Sequence, residues 1–164
     1  MGIGLRAPEY RTRELPGLEE RKKSLKEMVT TTRASTPVAA ALLFHWNRVL
    51  VCQRKRSRSF PLMWGFPGGK LESGEDYWAA LQRELKEELG IDAQSGREIF
   101  RHRHFYPGSV QVEIRFFRID TYSGVVANLD FEQIRWAEPR DLEKLDFLEA
   151  DRPLIKKLVS GELS

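Results

Sequence analysis

The sequence predicts an α/β fold, a mixed β-sheet with helices packed on it. Three observations carry this. Residues 38–44 form an unbroken apolar run, the pattern of a strand buried on both faces. Residues 76–89 place apolar side chains at helical spacing between capping residues. Strands and helices then follow one another without regular βαβ alternation, which favours a mixed sheet. The 164 residues suffice for one domain with a real core but not comfortably for two.

Residues 1–36 read as a separate polar arm. They are charge-mixed and carry no strand signal. Their one helical segment is 18–28, with Leu18, Leu25 and Met28 roughly on one face. A docking arm, a dimer contact and a partly mobile tail all fit, so a homodimer is left open. Residues 30–36 are rich in Thr and Ser, and Pro37 opens a domain at 37–164. Asn47 suggests a turn between the run at 38–44 and a second strand at 49–53, making a hairpin. Residues 54–58 form a basic loop, and 64–69 run from aromatic residues into Pro-Gly-Gly. The helix follows, with Glu75 and Asp76 suited to its positive end and Gly90 to its C-terminal cap. Further strands are expected at 98–104, 110–119 and 133–137, and helices at 139–145 and 152–159, the last with Pro153 in its first turn.

Composition excludes several classes. With 41% hydrophobic and 31% charged residues, the chain is not of the disordered type. A net charge of +3 is too small to imply nucleic-acid binding. The longest apolar run falls far short of the ~20 residues that cross a bilayer, so no membrane partner is expected. Cys52 is the single cysteine, which rules out an intrachain disulfide. The N-terminus has no apolar signal core, and the default reading is a cytoplasmic protein.

The helix at 76–89 carries the chemistry. Trp78, Leu81, Leu85 and Leu89 share one side, while Glu84, Glu87 and Glu88 share another at i, i+3, i+4. Like charges at that spacing repel by about 0.2–0.5 kcal/mol per pair. Their convergence makes sense around a cation. All the ligands would be oxygens, which selects a hard ion, Mg²⁺ first and Mn²⁺ second. Pro67, Gly68 and Gly69 would let backbone approach the ion or a phosphate.

Gly69, Glu75, Arg83, Glu84, Glu87, Glu88 and Gly90 form the pattern G-x5-E-x7-R-E-U-x-E-E-x-G-U, with Leu85 and Ile91 at the apolar positions. This resembles the Nudix box at every specified position. The resemblance runs from about residue 38 to 159 and implies a Nudix-type α/β/α sandwich with a mixed sheet. It also implies Mg²⁺- or Mn²⁺-dependent hydrolysis of nucleoside diphosphate derivatives by attack of water on phosphorus. By position it makes Glu84, Glu87 and Glu88 metal ligands and catalytic residues, with the Gly68 carbonyl as a further ligand. Glu75 and Arg83 would pair as a brace. The general base would be a box glutamate or an acid of a later loop, here Asp130 or Glu132.

Outside the box the chain is similar to the MutT-like branch, which hydrolyses nucleoside triphosphates including oxidised dGTP. The likeness makes Arg54, at the end of the second strand, a phosphate contact. It makes Phe66 a packing surface for the base and Asp151 a reader of the base edge. An ionised Asp would accept both adjacent donors of guanine. Lys55, Arg56 and Arg58 could add grip on a triphosphate. A nucleotide sugar, a dinucleoside polyphosphate and an RNA 5′-triphosphate end are alternative substrates. A non-catalytic nucleotide sensor is a third reading, opposed by the complete set of box glutamates. His102 and His104 share a strand face without an evident chemical role, and Cys52 reads as a buried strand residue.

Overall fold

A computed structural model of the chain describes residues 34–108 and 111–164. The helix expected at 18–28 lies outside the described residues, as does Val110. The strands are β1 (Thr36–Leu42), β2 (Phe44–His45), β3 (Arg48–Gln53), β4 (Trp64–Gly65), β5 (Gly68–Lys70), β6 (Asp92–Phe105), β7 (Gln111–Ser123) and β8 (Gln133–Ala137). The helices are α1 (Tyr77–Leu89) and α2 (Arg152–Val159), and 3-10 turns cover Pro139–Lys144 and Glu149–Asp151.

Two sheets result. In the first, of order β5-β1-β7-β6, β1 runs parallel to β7 and the other pairs are antiparallel. In the second, β3 pairs antiparallel with β2, β4 and β8. The expected simple hairpin is therefore corrected. The apolar run does not continue as one strand into the turn at Asn47. It switches sheets at Leu43, which is buried and whose carbonyl accepts from the Leu50 N–H at 3.0 Å. Only Phe44–His45 pairs back on β3. The segment is apolar throughout because both sheets bury it, so hydrophobicity alone hides the change of partner.

Side-chain alternation divides the core into two layers. Ala40, Leu42, Val49, Val51 and Phe116 pack with Phe147 and the α2 residues Leu154, Ile155 and Leu158. Ala39, Ala41, Leu43, Leu50 and Cys52 pack on the other side with Leu81, Leu85 and Leu89 of α1. Each fully buried Leu contributes about 1.5–3 kcal/mol. The result is an α/β/α sandwich in which β1 and β3 are central.

The strand at 98–104 is longer than its alternation suggests, since β6 starts at Asp92. Its first half is polar and irregular, with register shifts near Ser95 and Phe100, and is held by backbone pairing with β7. The helix expected at 139–145 is a 3-10 turn starting at Pro139, the form short helical pieces commonly take.

Candidate functional site

Helix α1 is fixed at both ends. Asp76 is its N-cap, with Oδ1 accepting from the Ala79 N–H at 2.8 Å. Gly90 closes it in the left-handed conformation, φ 72°, with its N–H reaching the Leu85 and Lys86 carbonyls. Apolar residues bury one side of the helix, so Arg83, Glu84, Glu87 and Glu88 turn toward a cavity of about 770 Å³.

Two glycines let the carboxylates approach the sheet. Gly68 pairs with Ala40 at φ 139°, and a Cβ there would overlap the Ala39 carbonyl. A Cβ on Gly69 would lie 2.5 Å from the Glu84 carboxyl carbon. The side chain missing from Gly69 leaves the space that Glu84 occupies.

The box residues then form a linked set. Arg83 donates to both oxygens of Glu75 at 2.7 and 3.0 Å, to Glu84 at 2.8 Å and to the Lys70 carbonyl at 3.1 Å. The hydrogen bonds from Arg83 hold the Glu75 carboxyl at about 2, below the usual range. Glu88 is partly buried and accepts from the Gly68 N–H at 2.9 Å. Burial pushes its carboxyl up to about 8, with Glu84 and Asp130 adding to the effect and the Gly68 N–H and Arg54 opposing it. Glu87 is the exposed member, 3.6 Å from Arg83.

The donor set fits a hard divalent cation. It consists of carboxylates lining one cavity, and the partly buried Glu88 lies beside other acids. Among the described residues, no three acidic, His or Cys side chains close on one point. Arg83, between Glu84 and Glu87, supplies the local positive charge.

The same cavity also has a basic part. Arg54, Lys55 and Arg58 line the same cavity. Arg54 is held by its own loop through Nε to the Ser59 carbonyl at 2.6 Å. Burial and the neighbouring Arg58 lower its pKa, against the pull of Glu88, Tyr106 and Asp151. Asp130 also lines the cavity, but each of its oxygens is taken: Oδ1 by Lys55 and Oδ2 by Arg58, both at 3.0 Å. Glu132 is exposed and lies outside the cavity lining, and its N–H donates to the Gln53 carbonyl at 3.0 Å.

Phe66 and Asp151 sit together outside the lining of this cavity. The Phe66 ring packs 5.6 Å from that of Phe147 and 6.1 Å from that of Phe116. Asp151 is 5% exposed and precedes α2, yet its side chain does not cap the helix. Its carboxyl accepts from the Phe66 N–H instead. Burial raises that carboxyl to about 7 against the Phe66 N–H and Arg54.

The sequence reading did not foresee that Tyr106 meets this region. Its ring lies 4.9 Å from the exposed Phe60, and its hydroxyl accepts from the Ala150 backbone. Nothing local in the sequence signals that contact. Cys52 is buried, and burial raises its thiol pKa, so it is no ready nucleophile.

Comparison with known proteins gives the family and the fold. The NUDIX domain model matches residues 34–158. The CTP pyrophosphohydrolase of Escherichia coli (strain K12) is 28% identical over 123 residues, covering 75% of this chain and 90% of that protein. The 8-oxo-dGTP diphosphatase of Haemophilus influenzae is 29% identical over 124 residues, again 75% and 90%. Among solved structures, the E. coli ORF135 protein aligns with a TM-score of 0.70 at 26% identity, covering 80% of this chain and 93% of that one. The MutT NUDIX hydrolase of Burkholderia pseudomallei shares the fold, with a TM-score of 0.69 at 22% identity over 75% of this chain and 97% of its own. With the full box running from β5 to just past the end of α1 and a domain match across most of its length, the chain belongs to the Nudix hydrolase family.

Proposed function

We propose that the chain hydrolyses a nucleoside triphosphate to nucleoside monophosphate and pyrophosphate with Mg²⁺, or Mn²⁺ in its place. The observation that carries this is that Arg54, Lys55 and Arg58 line the same cavity as Glu84, Glu87 and Glu88. Cations on one rim suit the phosphate oxygens of a polyphosphate. Glu84, Glu87 and Glu88, with the Gly68 carbonyl, would hold the metal, which when bound neutralises phosphate charge and acidifies water.

The chain's own residues supply the rest. Arg83 keeps Glu84 on the cavity wall while Glu75 braces Arg83. Arg54 meets the phosphates. Water attacks phosphorus, the bridging P–O bond breaks toward pyrophosphate, and the water's proton passes to a carboxylate of the box. Glu132 lies outside the cavity lining and Asp130 is engaged by two cations, which favours the box over the later loop for that proton.

Asp151, beside Phe66, is the reader of the base. Near neutral pH it divides between acid and carboxylate. The carboxylate suits the paired donors of guanine, whereas the acid also accommodates edges of mixed polarity such as cytosine N3 and N4. The names of the two relatives, one acting on CTP and one on 8-oxo-dGTP, put both bases in the test set.

The test is a panel of ribo- and deoxynucleoside triphosphates with 8-oxo-dGTP, scored for pyrophosphate with Mg²⁺, with Mn²⁺ and with chelator. Metal-dependent pyrophosphate release from at least one triphosphate is expected. No release from any of them overturns the reading, and turnover of nucleotide sugars or dinucleoside polyphosphates in their place establishes the alternative.

A further inference from the structure

The loop of residues 54–63 between β3 and β4 is built by its own backbone. Its neck is closed by the Arg54 N–H to the Met63 carbonyl at 2.9 Å and the Leu62 N–H to the Arg54 carbonyl at 3.1 Å. Inside it, the Arg58 N–H turns back to Lys55 at 3.1 Å, and Phe60 and Leu62 hold positive φ of 53° and 61°. These bonds fix the backbone, but a long cationic side chain on such a loop still sweeps a wide arc. Asp130 removes that freedom for two of them, one at each oxygen.

Asp130 is itself firmly mounted. The neighbouring Ala127 and Leu129 N–H groups bond at 3.0 Å to the Leu89 and Glu88 carbonyls at the end of α1. Asn128 clasps Phe131 through both its amide groups, at 2.9 and 3.0 Å. The Asp130 carboxylate is therefore tied to the helix that carries the glutamates. Through it the basic rim is set at a fixed place relative to them.

We propose that Asp130 is a positioning residue that holds Lys55 and Arg58 at the cavity mouth to receive the polyphosphate tail of the substrate. This rests on the triphosphate reading given above. The donor arithmetic allows it: Lys55 gives one of three N–H donors to Asp130 and Arg58 one of five, leaving the rest for phosphate oxygens. The same geometry makes Asp130 a poor general base. Both its oxygens already accept from cations, and those partners outweigh burial and hold the carboxyl below its ordinary range.

The test uses the full chain and its Asp130→Asn, Lys55→Ala/Arg58→Ala and combined triple variants. Steady-state kinetics on the preferred triphosphate are paired with calorimetric binding of magnesium tripolyphosphate. For Asp130→Asn the expected result is a rise of about tenfold in both KM and the tripolyphosphate Kd, equivalent to about 1.4 kcal/mol. kcat should stay within about threefold, with the acid limb of its pH profile unmoved. Once Lys55 and Arg58 are gone, Asp130→Asn should add little further effect. A kcat loss on the order of 10²–10⁴ with unchanged KM and a lost acid limb would make Asp130 the general base and overturn the proposal. Additive effects in the triple variant would overturn it equally. Should the wild-type chain turn over no triphosphate, the substrate reading fails while the tripolyphosphate measurement still decides the role of Asp130.

Discussion

Gly68 and Gly69 are adjacent, small and both required, yet for different reasons. A methyl group on Gly68 would lie 2.8 Å from the Ala39 backbone neighbour Ala40 Cα and overlap the Ala39 carbonyl, all of it backbone that cannot yield. At Gly69 the obstacle is the Glu84 carboxylate, a side-chain end held by Arg83. Gly68→Ala should therefore break the β1–β5 pairing and lower stability by about 2 kcal/mol or more, read in urea unfolding. Gly69→Ala should leave the unfolding midpoint nearly unchanged and lower kcat/KM by tenfold to about 10²-fold, because it displaces a site carboxylate. If the two substitutions lowered stability equally, the division of roles would be wrong. The same contrast explains what was legible at this scale. The box residues lie within 23 positions of one another, so their spacing places them on one helix face and one turn. The partners of Asp130 lie 75 and 72 residues away, and no local pattern reveals them. Asp151 and Phe66 were singled out, but that the carboxyl would be buried against a backbone N–H was not readable from either neighbourhood.

At the scale of elements, α1 was read almost to its ends because its signals are local and agree. Asp76 caps it, its buried side follows the 3.6-residue period, and Gly90 ends it. The fit of α2 to its expected range has the same cause, with Pro153 at its start. The strands fared less evenly. β8 matched its expectation, whereas β4 and β5 were missed because two- and three-residue strands carry no periodicity. They exist because β3 and β1 offer open edges to pair with. Since α1 mounts the carboxylates, its caps should matter to stability more than their exposure suggests. Asp76→Ala removes the bond to the Ala79 N–H and should lower stability by about 1 kcal/mol. Gly90→Ala forces a side chain into the left-handed region beside Leu129 and should lower it by about 1–2 kcal/mol. Both are measured by urea denaturation, and neutral outcomes would mean that packing of Leu81, Leu85 and Leu89 alone sets the helix.

On the scale of the whole molecule, the C-terminal segment is stitched across the second sheet. The Trp64 N–H bonds to the Asp146 carbonyl at 2.8 Å and the Leu148 N–H to the Trp64 carbonyl at 2.9 Å, and this closure buries Asp151. The α/β class and the helix packing were foreseeable from amphipathicity, but this seam joins residues more than 80 positions apart and had no sequence signal. It has a thermodynamic consequence. The Asp151 carboxyl stands at about 7 in the folded chain against an ordinary 3.8. Between those values the folded state keeps a proton that the unfolded state has released. The Asp151 contribution to stability must then fall as pH rises through that window and level off above about 7. Glu75 acts in the other direction: its carboxyl stands at about 2, so its contribution is present above the ordinary carboxylate range and is lost only toward pH 2. The Glu75 window lies apart, but Glu88, pushed up to about 8, adds a fall of the same sign over the same range, so the Asp151 share is read as the difference between wild-type and variant slopes in urea unfolding between pH 5 and pH 8. The wild-type chain should lose on the order of a few kcal/mol over that range. Asp151→Asn keeps an oxygen for the Phe66 N–H but cannot ionise. It should remove the Asp151 share of that slope, leave the part that belongs to Glu88, and be the more stable protein at pH 8. Parallel pH slopes for the two proteins would show that the Asp151 carboxylate is solvated well enough in the fold to ionise freely, and the buried-acid account of the seam would fall.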